Sequence, residues 1–274
     1  MKILWYGGMI VIALALTAFY FTWSALFVFL SLTYFTLLIG HSVGMHRMMI
    51  HRTFRCAKPL ERLLIYIGVL VSIGGPTSII KMHDTRDWAQ RQKDCHDFFS
   101  HRRSYFRDVT WQLFYKFKFE SPPYVTIEKR LSDDPWIQFF DKTWRFHQVI
   151  LAGILFVLGG LPWVVWGVCL RVAVSTIGHW SITYICHNPG PGKWYVKEAG
   201  VQASNIDFAG FLTHGECWHN NHHAFPESAR IGLDKGQTDP AWWVINTMRN
   251  LGLATHVNLP RDDKRREDLS LRQG

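Results

Sequence analysis

The apolar run from Phe146 to Cys186 (FHQVILAGILFVLGGLPWVVWGVCLRVAVSTIGHWSITYIC) decides the fold class. Arg171 is its only lysine, arginine, aspartate or glutamate, and Gly159-Gly160-Leu161-Pro162 interrupts it near the middle. A membrane-spanning helix needs about 20 apolar residues, and proline is tolerated in the first turn of a helix. The run therefore predicts two spans, at about 145–160 and 163–186, joined by a tight turn.

The N-terminal region is equally apolar, because Lys2 is the only charged residue between Met1 and Gly40. The region is long enough for two spans, at about 3–20 and 23–40, with a break near the aromatic residues of Tyr20-Phe21-Thr22-Trp23, which suit a membrane interface. A cleaved signal peptide is the alternative, but the run is too long and lacks a small-residue cleavage site before a polar segment. We expect an all-α fold, an integral membrane bundle of four transmembrane helices.

The segment from Leu63 to Ile80 is apolar but is broken near its end by Gly74-Gly75-Pro76. If it crossed the membrane once, His46 and His51 would lie on the opposite side from His83. We therefore expect an interfacial or re-entrant helix at about 63–80. The single domain, 1–274, then has a cytoplasmic helical cap at 81–144 and 187–260, with the histidines and both termini on the cytoplasmic side.

The formal charge of +9 comes from 30 basic and 21 acidic residues. The basic residues crowd Arg47–Arg62, Lys81–Arg145 and Lys193–Arg272, which this topology places on one side. The positive-inside bias explains that distribution, so we expect a lipid bilayer and no nucleic acid as partner. Five cysteines without a C-x-x-C pair fit a reducing compartment. Arg171 has three open roles: it snorkels, pairs with a buried group, or touches a substrate.

The densest group of candidate ligands is His219-Asn220-Asn221-His222-His223. Helical residues three and four apart share one face, so the three histidines can converge on one ion or on two adjacent ions. The alternative is a polar helix end whose histidines bond only to water.

An earlier pair, His46 and His51, is spaced by five residues, with His41 a further five before. Five positions are about 140° apart on an ideal helix, so one histidine is expected on the helix and the other just beyond its end. The alternative is a pair of interfacial side chains. His41 is not expected to be a ligand.

The remaining candidates lie on two other segments. His83 and Asp87 are four apart on one helical face, although Asp87 can instead pair with Arg86. His96 and His101 follow on a polar stretch, where such residues are more often surface or capping groups. His179, Thr183 and His187 also share a helical face; His187 lies at its end, whereas His179 can be a packing residue.

Many imidazoles and few cysteines favour a nitrogen-rich transition-metal site that is open to chemistry, with iron as the leading candidate. The H-E-x-x-H motif of a metalloprotease is absent, since Glu216 precedes His219 by three residues.

Two stretches resemble the membrane fatty acid desaturase family, in its acyl-CoA desaturase branch. His46-Arg-Met-Met-Ile-His51-Arg-Thr-Phe is similar to the family's first histidine box, and Gly215-Glu-Cys-Trp-His219-Asn-Asn-His222-His223-Ala-Phe-Pro226 to its third. Trp180 to His187 resembles the helix that supplies one more histidine, and Asp239-Pro240 to Leu253 the closing helix. The resemblance covers roughly 40–255.

The resemblance implies two irons, with dioxygen as co-substrate, held by seven histidines: His46, His51, His83, His187, His219, His222 and His223. The second box departs from the family pattern H-x-x-H-H, because this chain has His83-Asp-Thr-Arg86-Asp87. Either one iron is weakly held or the shell is completed by another residue: Asp87, His179, His96 or His101. The residues expected to orient ligands rather than to bind metal are Glu216, Asn220, Asn221 and Thr183, the last replacing a common asparagine.

The function that follows is an oxygen-dependent fatty acyl desaturase, with the acyl chain, on coenzyme A or a lipid, held in an apolar tunnel. No C-x-x-C-H motif or cysteine cluster is present, so a separate electron-transfer protein is expected, a ferredoxin or a b-type cytochrome. The alternatives are a membrane diiron lipid hydroxylase and a degenerate, non-catalytic lipid-binding relative. A metal transporter is disfavoured, because the spans lack ionisable residues apart from Arg171.

Overall fold

A computed structural model of the chain describes residues 2–260 and 266–272. This part of the chain is mostly helical, which confirms the all-α expectation. Its helices are α1 Ile3–Leu16, α2 Trp23–Ile50, α3 Lys58–Val69, α4 Pro76–Arg91, α5 Asp97–Ser100, α6 Tyr105–Phe114, α7 Lys129–Ser132, α8 Pro135–Thr143, α9 Phe146–Val164, α10 Arg171–Cys186, α11 His219–Ala224 and α12 Pro240–Asn250.

Short strands form two antiparallel pairs that fasten distant loops together. β1 (Arg55–Cys56) pairs with β3 (Ala254–Thr255), and β2 (Trp194–Val196) pairs with β4 (Leu269–Leu271). The first pair joins the segment after α2 to the segment after α12. It therefore fixes the chain just beyond His46 and His51.

Two helical runs, Trp23–Ile50 and Phe146–Cys186, are long and apolar enough to cross a membrane, whereas α1 is shorter. Large apolar side chains on their outer surfaces are exposed, such as Val157 at 83% and Phe27 at 71%. Helices that are apolar all round, with no polar stripe toward water, suit a lipid environment. The two long runs and the family described below make the protein membrane-associated.

The second run contains a break inside its helix. Gly160 has φ 67° and ψ −162°, a backbone conformation that glycine tolerates because it has no Cβ. Pro162 begins the following helical turn, and a π-helical segment, Val165–Leu170, then leads into α10. The break lies within the turn expected from the glycines and the proline.

The helix bounds in the N-terminal region differ from the expected spans of 3–20 and 23–40. α1 already ends at Leu16, and α2 begins where Thr22 caps it by accepting a hydrogen bond from the Ala25 backbone N–H at 3.0 Å. α2 then continues to Ile50, with a π-helical second half, Thr36–Ile50. The apolar pattern located the start of α2 but not its end, because its last turns are buried in protein.

The expectation of one helix at about 63–80 is wrong in its bounds. The structure has two helices, α3 and α4, because Gly75 provides an extended N-cap and Pro76 occupies the first position of the second helix. Proline has no backbone N–H to lose there and clashes with a preceding helical turn. α4 consequently runs on to Arg91 and carries His83 to the site.

Close packing of α2 on α3 positions the end of α2. A Cβ at Gly40 or Gly44 would collide with the α3 backbone, at Ile67–Gly68 and at Leu64 respectively. The helices meet backbone to backbone there, and Met45 and Ile65 beside the contact are fully buried.

Arg171 pairs with buried groups, which resolves its three open roles. Its Nη1 donates to the Leu70 carbonyl at 2.5 Å, its Nη2 to Gln148 Oε1 at 2.5 Å, and its Nε to the Gly167 carbonyl at 2.7 Å. The Gln148 amide also donates to the Leu70 carbonyl, at 3.0 Å. Arg171 therefore ties the C-terminal end of α3 to the apolar helices.

Candidate metal centre

The end of α2 brings His46 and His51 together. In its π-helical half, backbone hydrogen bonds join residues five apart, and the His51 N–H donates to the His46 carbonyl at 3.0 Å. The ring centroids of His46 and His51 lie 4.7 Å apart, and those of His41 and His46 lie 6.3 Å apart. On an ideal α-helix, side chains five residues apart would point in different directions. In this π-helical segment the same spacing aligns the three rings. His51 lies just beyond the helix end, as the spacing predicts.

A four-histidine group forms where α2, α4 and α11 meet. Its members His46, His51, His83 and His222 each offer a ring nitrogen, and these nitrogens all lie within 4.8 Å of one another. The Nε2 atoms of His51 and His83 are 3.2 Å apart.

A three-histidine group lies beside it, formed by His187, His219 and His223, whose ring nitrogens meet the same 4.8 Å limit. The Nε2 atoms of His219 and His223 are 3.2 Å apart. Helix α11 supplies ligand candidates to both groups, and the His222 and His223 ring centroids are 5.8 Å apart. The two groups are therefore neighbours.

Glu216 contacts His46 and belongs to a buried polar network. Its Oε2 lies 2.7 Å from His46 Nδ1, while its Oε1 accepts from the Ser42 hydroxyl and lies 3.4 Å from Arg47 Nη2. The same Arg47 nitrogen donates to Asp239 Oδ1 at 2.8 Å. Metal-binding histidines usually donate their second N–H to a carboxylate or carbonyl, which fixes the ring's orientation and raises its basicity. Glu216 has the contact expected of such a residue.

Two other histidines in the groups have comparable partners. His187 Nδ1 lies 2.8 Å from the Thr183 carbonyl, and its buried Nε2 has no hydrogen-bond partner among the described residues. His83 Nδ1 lies 3.3 Å from Asp84 Oδ1 and 3.5 Å from Asp87 Oδ2. Thr183 thus contacts His187 through its carbonyl, while its hydroxyl donates to the His179 carbonyl.

Burial favours the neutral form of three of these imidazoles, those of His51, His219 and His222. Burial, followed by the charges of neighbouring histidines, lowers the pKa of His51, His219 and His222 well below the usual value. Burial alone would raise the pKa of Asp87 and Glu216, but neighbouring histidines and arginines outweigh it, so both pKa values are lower than usual. Neutral imidazoles and ionised carboxylates are the forms that bind and support a cation.

The donor set fits transition-metal ions. Ring nitrogens bind such ions at about 2.0–2.1 Å, so two ligands of one ion lie at most about 4.2 Å apart. The paired Nε2 atoms at 3.2 Å fall within that range, and the unpartnered His187 Nε2 is the kind of buried group that a metal ion would satisfy. Imidazole ligands suit iron, zinc, copper and nickel.

Four other predicted residues lie outside the two groups. His96 is exposed, and its Nδ1 accepts from the Phe98 N–H at 3.1 Å, so it caps α5 and is not placed to bind the metal. His101 bonds through Nδ1 to Asp108 at 3.0 Å and stacks behind His187, with ring centroids 5.4 Å apart. His179 packs against His41 and Trp180. Asp87 contacts His83 and, at 3.9 Å, Arg86.

Asn220 and Asn221 do not orient ligand imidazoles, contrary to expectation. The Asn220 side chain bonds to the backbone of Trp194 and Ala203, and the Asn221 amide donates to the Ile231 carbonyl and to Gln237. They anchor α11 to the loops around it.

An apolar cavity of about 270 Å³ opens beside both groups. His46 and His83 of the four-histidine group and His219 of the three-histidine group line one part of it. Its other walls come from α2, the α3–α4 loop, α4, α10 and the loop before α11, including Leu37, Ile73, Ile79, Met82, Val174, Gly178, Ile182 and Leu212. The size approaches that of small-molecule sites, which are mostly apolar with a few polar groups.

Sequence reasoning missed several residues of the site. Ser42 and Asp239 complete the Glu216 and Arg47 network, and buried His214 lines the cavity. Asp239 does carry a signal, since an aspartate followed by proline before an apolar run is a typical helix start. Its Oδ1 accepts the Trp242 N–H at 3.0 Å, as an N-cap should, but its contact with Arg47 depends on the tertiary fold.

Two neighbouring imidazole groups beside an apolar cavity define a candidate metalloenzyme that acts on an apolar molecule. Comparison with known proteins makes this specific, because the model of the family described as "Fatty acid desaturase" matches residues 21–235. The chain belongs to the fatty acid desaturase family. It is therefore an oxidoreductase of lipid metabolism, and fatty acyl desaturation is its reaction class.

Several curated relatives cover most of the chain. An acyl-CoA 5-desaturase of Anemone leveillei is 32% identical over 95% of this chain and 80% of its own length. An sn-1 stearoyl-lipid 9-desaturase of Anabaena variabilis is 34% identical over 87% of this chain and 86% of its own length. Delta-9 acyl-lipid desaturase 2 of Arabidopsis thaliana is 32% identical, with 93% and 81% covered.

Proposed function

We propose that this protein is an oxygen-dependent fatty acyl desaturase with a histidine-ligated diiron centre and an external electron donor. The observation that carries the proposal is the meeting of both imidazole groups with one apolar cavity. An alkyl chain lying in that cavity would have part of its length beside His46, His83 and His219.

The protein's contribution is to hold the chain and the metal ligands in place. Leu37, Ile79 and Ile182 line the cavity with apolar surface, which favours an acyl chain over water. The four-histidine and three-histidine groups would each hold one iron, and bound iron would supply the oxidation of an unactivated C–H bond by dioxygen. Glu216 and the Thr183 carbonyl would hold His46 and His187 in their ligating orientation.

The reaction requires electrons from outside the chain. Removing two hydrogens from adjacent methylenes while one O2 becomes two waters consumes two further electrons and two protons. We propose that a small acidic protein, a ferredoxin or a b-type cytochrome, docks on the basic face. Arg91 and Arg266 support this location, because they line a small pocket that also reaches His222 and His223.

In the membrane, we propose four spans formed by α1, α2, α9 and α10. The short α1 is completed by its flanking residues, and the break at Gly160, inside α9, separates the third crossing from the fourth. The metal centre and both termini would face the cytoplasm, where the basic residues are concentrated. The acyl carrier is coenzyme A or a membrane lipid, since the curated relatives include enzymes named for both.

The test is fatty acid analysis by gas chromatography of cells that express the protein, together with iron analysis of the purified protein. We expect a new unsaturated fatty acid and bound iron. Hydroxylated fatty acids would instead identify the hydroxylase alternative, and iron-free protein without any product would identify a non-catalytic relative.

A further inference from the structure

Arg86 is a buried cation without adequate partners. It is 9% exposed, and its buried Nε has no hydrogen-bond partner among the residues that the structure describes. Its nearest carboxylate oxygen, on Asp87, lies 3.9 Å from Nε, while the other oxygen of that carboxylate faces His83 at 3.5 Å. The ion pair is therefore long and shared.

Among the described residues, the two fully buried arginines, Arg47 and Arg171, have the hydrogen-bond partners that Arg86 lacks. Arg47 donates to Asp239, to the Ala229 carbonyl and to the His214 carbonyl, and Arg171 donates through Nε, Nη1 and Nη2. A buried guanidinium without such bonds is costly, because removing a charge from water must be compensated by hydrogen bonds or by an opposite charge. Arg86 needs a further partner that can accept hydrogen bonds.

The position of Arg86 identifies where that partner would lie. Arg86 lines the same cavity as His219 and His179. Arg86 and His219 of the three-histidine group therefore face one cavity. An ion held there by three imidazoles keeps at least one position open for a non-protein ligand, as in three-ligand catalytic metal sites.

We propose that Arg86 makes the three-histidine group an anion-accepting metal site, in which a small anion occupies the open position and accepts hydrogen bonds from the guanidinium. This inference rests on the proposed metal centre and adds a role for the residue that replaces an expected histidine. The anion satisfies two needs together, since it completes the metal's coordination and neutralises a buried cation. A fourth histidine at position 86 would fill that position instead and leave no cation.

The test uses cobalt(II)-loaded protein and azide as the anion. Azide is titrated while the visible spectrum of cobalt is recorded, and cobalt content is measured on the same samples. We expect a saturable spectral change in the wild type and at least a tenfold loss of azide affinity in Arg86→Met, with cobalt content maintained. Arg86→Lys keeps the charge and should restore part of the affinity, and Lys81→Met, at an exposed lysine of the same helix, should match the wild type.

Two results would overturn the inference: a wild type that does not respond to azide, and an Arg86→Met protein that binds azide as tightly as the wild type. Thermal unfolding of each variant shows whether it is folded, and Arg86→Lys provides the comparison if Arg86→Met is not. Failure of the proposed metal centre gives a different result. The cobalt content of the wild-type protein would then not depend on His219 or His222.

Discussion

Replacing Glu216 by glutamine tests the orientation of the four-histidine group. Glutamine keeps the shape and an acceptor oxygen for His46 Nδ1, now 2.7 Å from Glu216 Oε2, but removes the negative charge. Loss of such a supporting contact typically weakens metal affinity about 10–100-fold, which is about 1.4–2.8 kcal/mol. We expect the fold to survive, because Arg47 keeps its bonds to Asp239 at 2.8 Å and to the Ala229 carbonyl at 2.7 Å.

The assay is a cobalt(II) titration of detergent-purified protein in competition with a coloured chelator, which resolves two binding events. We expect the tighter event to weaken in Glu216→Gln and the other to change little, since Glu216 contacts only the four-histidine group. Glu120→Gln, at an exposed glutamate, is the matched control. If Glu216→Gln bound both ions within a factor of two of the wild type, the orienting role would be refuted.

Three further predictions concern product, cavity and stability. His222→Ala should abolish unsaturated product without loss of membrane insertion, while His96→Ala retains activity; product from the first, measured by gas chromatography, would contradict the site. A Cβ at Gly178 meets no atom within 4 Å, so Gly178→Leu should project into the cavity and reduce desaturation of long chains more than short ones, with metal content unchanged; equal loss for all lengths would contradict this. Asp134→Ala removes an N-cap, with its 2.9 Å bond to the Trp136 N–H, and two ion pairs, and should cost about 1–2 kcal/mol at pH 7. Burial would raise the pKa of Asp134, but its hydrogen bond with Lys58 and other contacts outweigh burial and lower the pKa. The ionised carboxylate therefore stabilises the fold above the unfolded pKa of about 4, and this stabilisation is lost as the pH falls below that value. The difference in thermal unfolding between Asp134→Ala and wild type should accordingly shrink below pH 4.

The helical spacing of the histidines indicated a metal site, and the resemblance to the desaturase family implied which seven histidines would hold it. The seven principal histidines all lie in the two groups. Their division between the groups was not predictable from the sequence. It depends on the placement of α11 relative to α4 and α10. That placement directs His222 to the four-histidine group and His219 and His223 to the three-histidine group.

The errors have a common physical origin in tertiary contacts. The bounds of α2 and α4 were misplaced, because hydropathy registers lipid exposure and both helices continue into protein. Asn220 and Asn221 were expected to orient the ligand imidazoles because they lie beside them in the sequence, but their side chains bond to the loops around α11. The π-helical half of α2 was not predicted, because its apolar residue pattern does not differ from that of an ordinary α-helix.

The short length of α11 affects how well the protein resists proteolysis in a cell. Isolated helices below about 12–15 residues are marginal in water, and this one, His219–Ala224, is six residues long and carries three imidazoles whose like charges would repel one another if protonated. Bound cations would cross-link it to three separate segments of the chain. Iron starvation should therefore show up as faster proteolysis of newly made protein, with the first cuts near this segment.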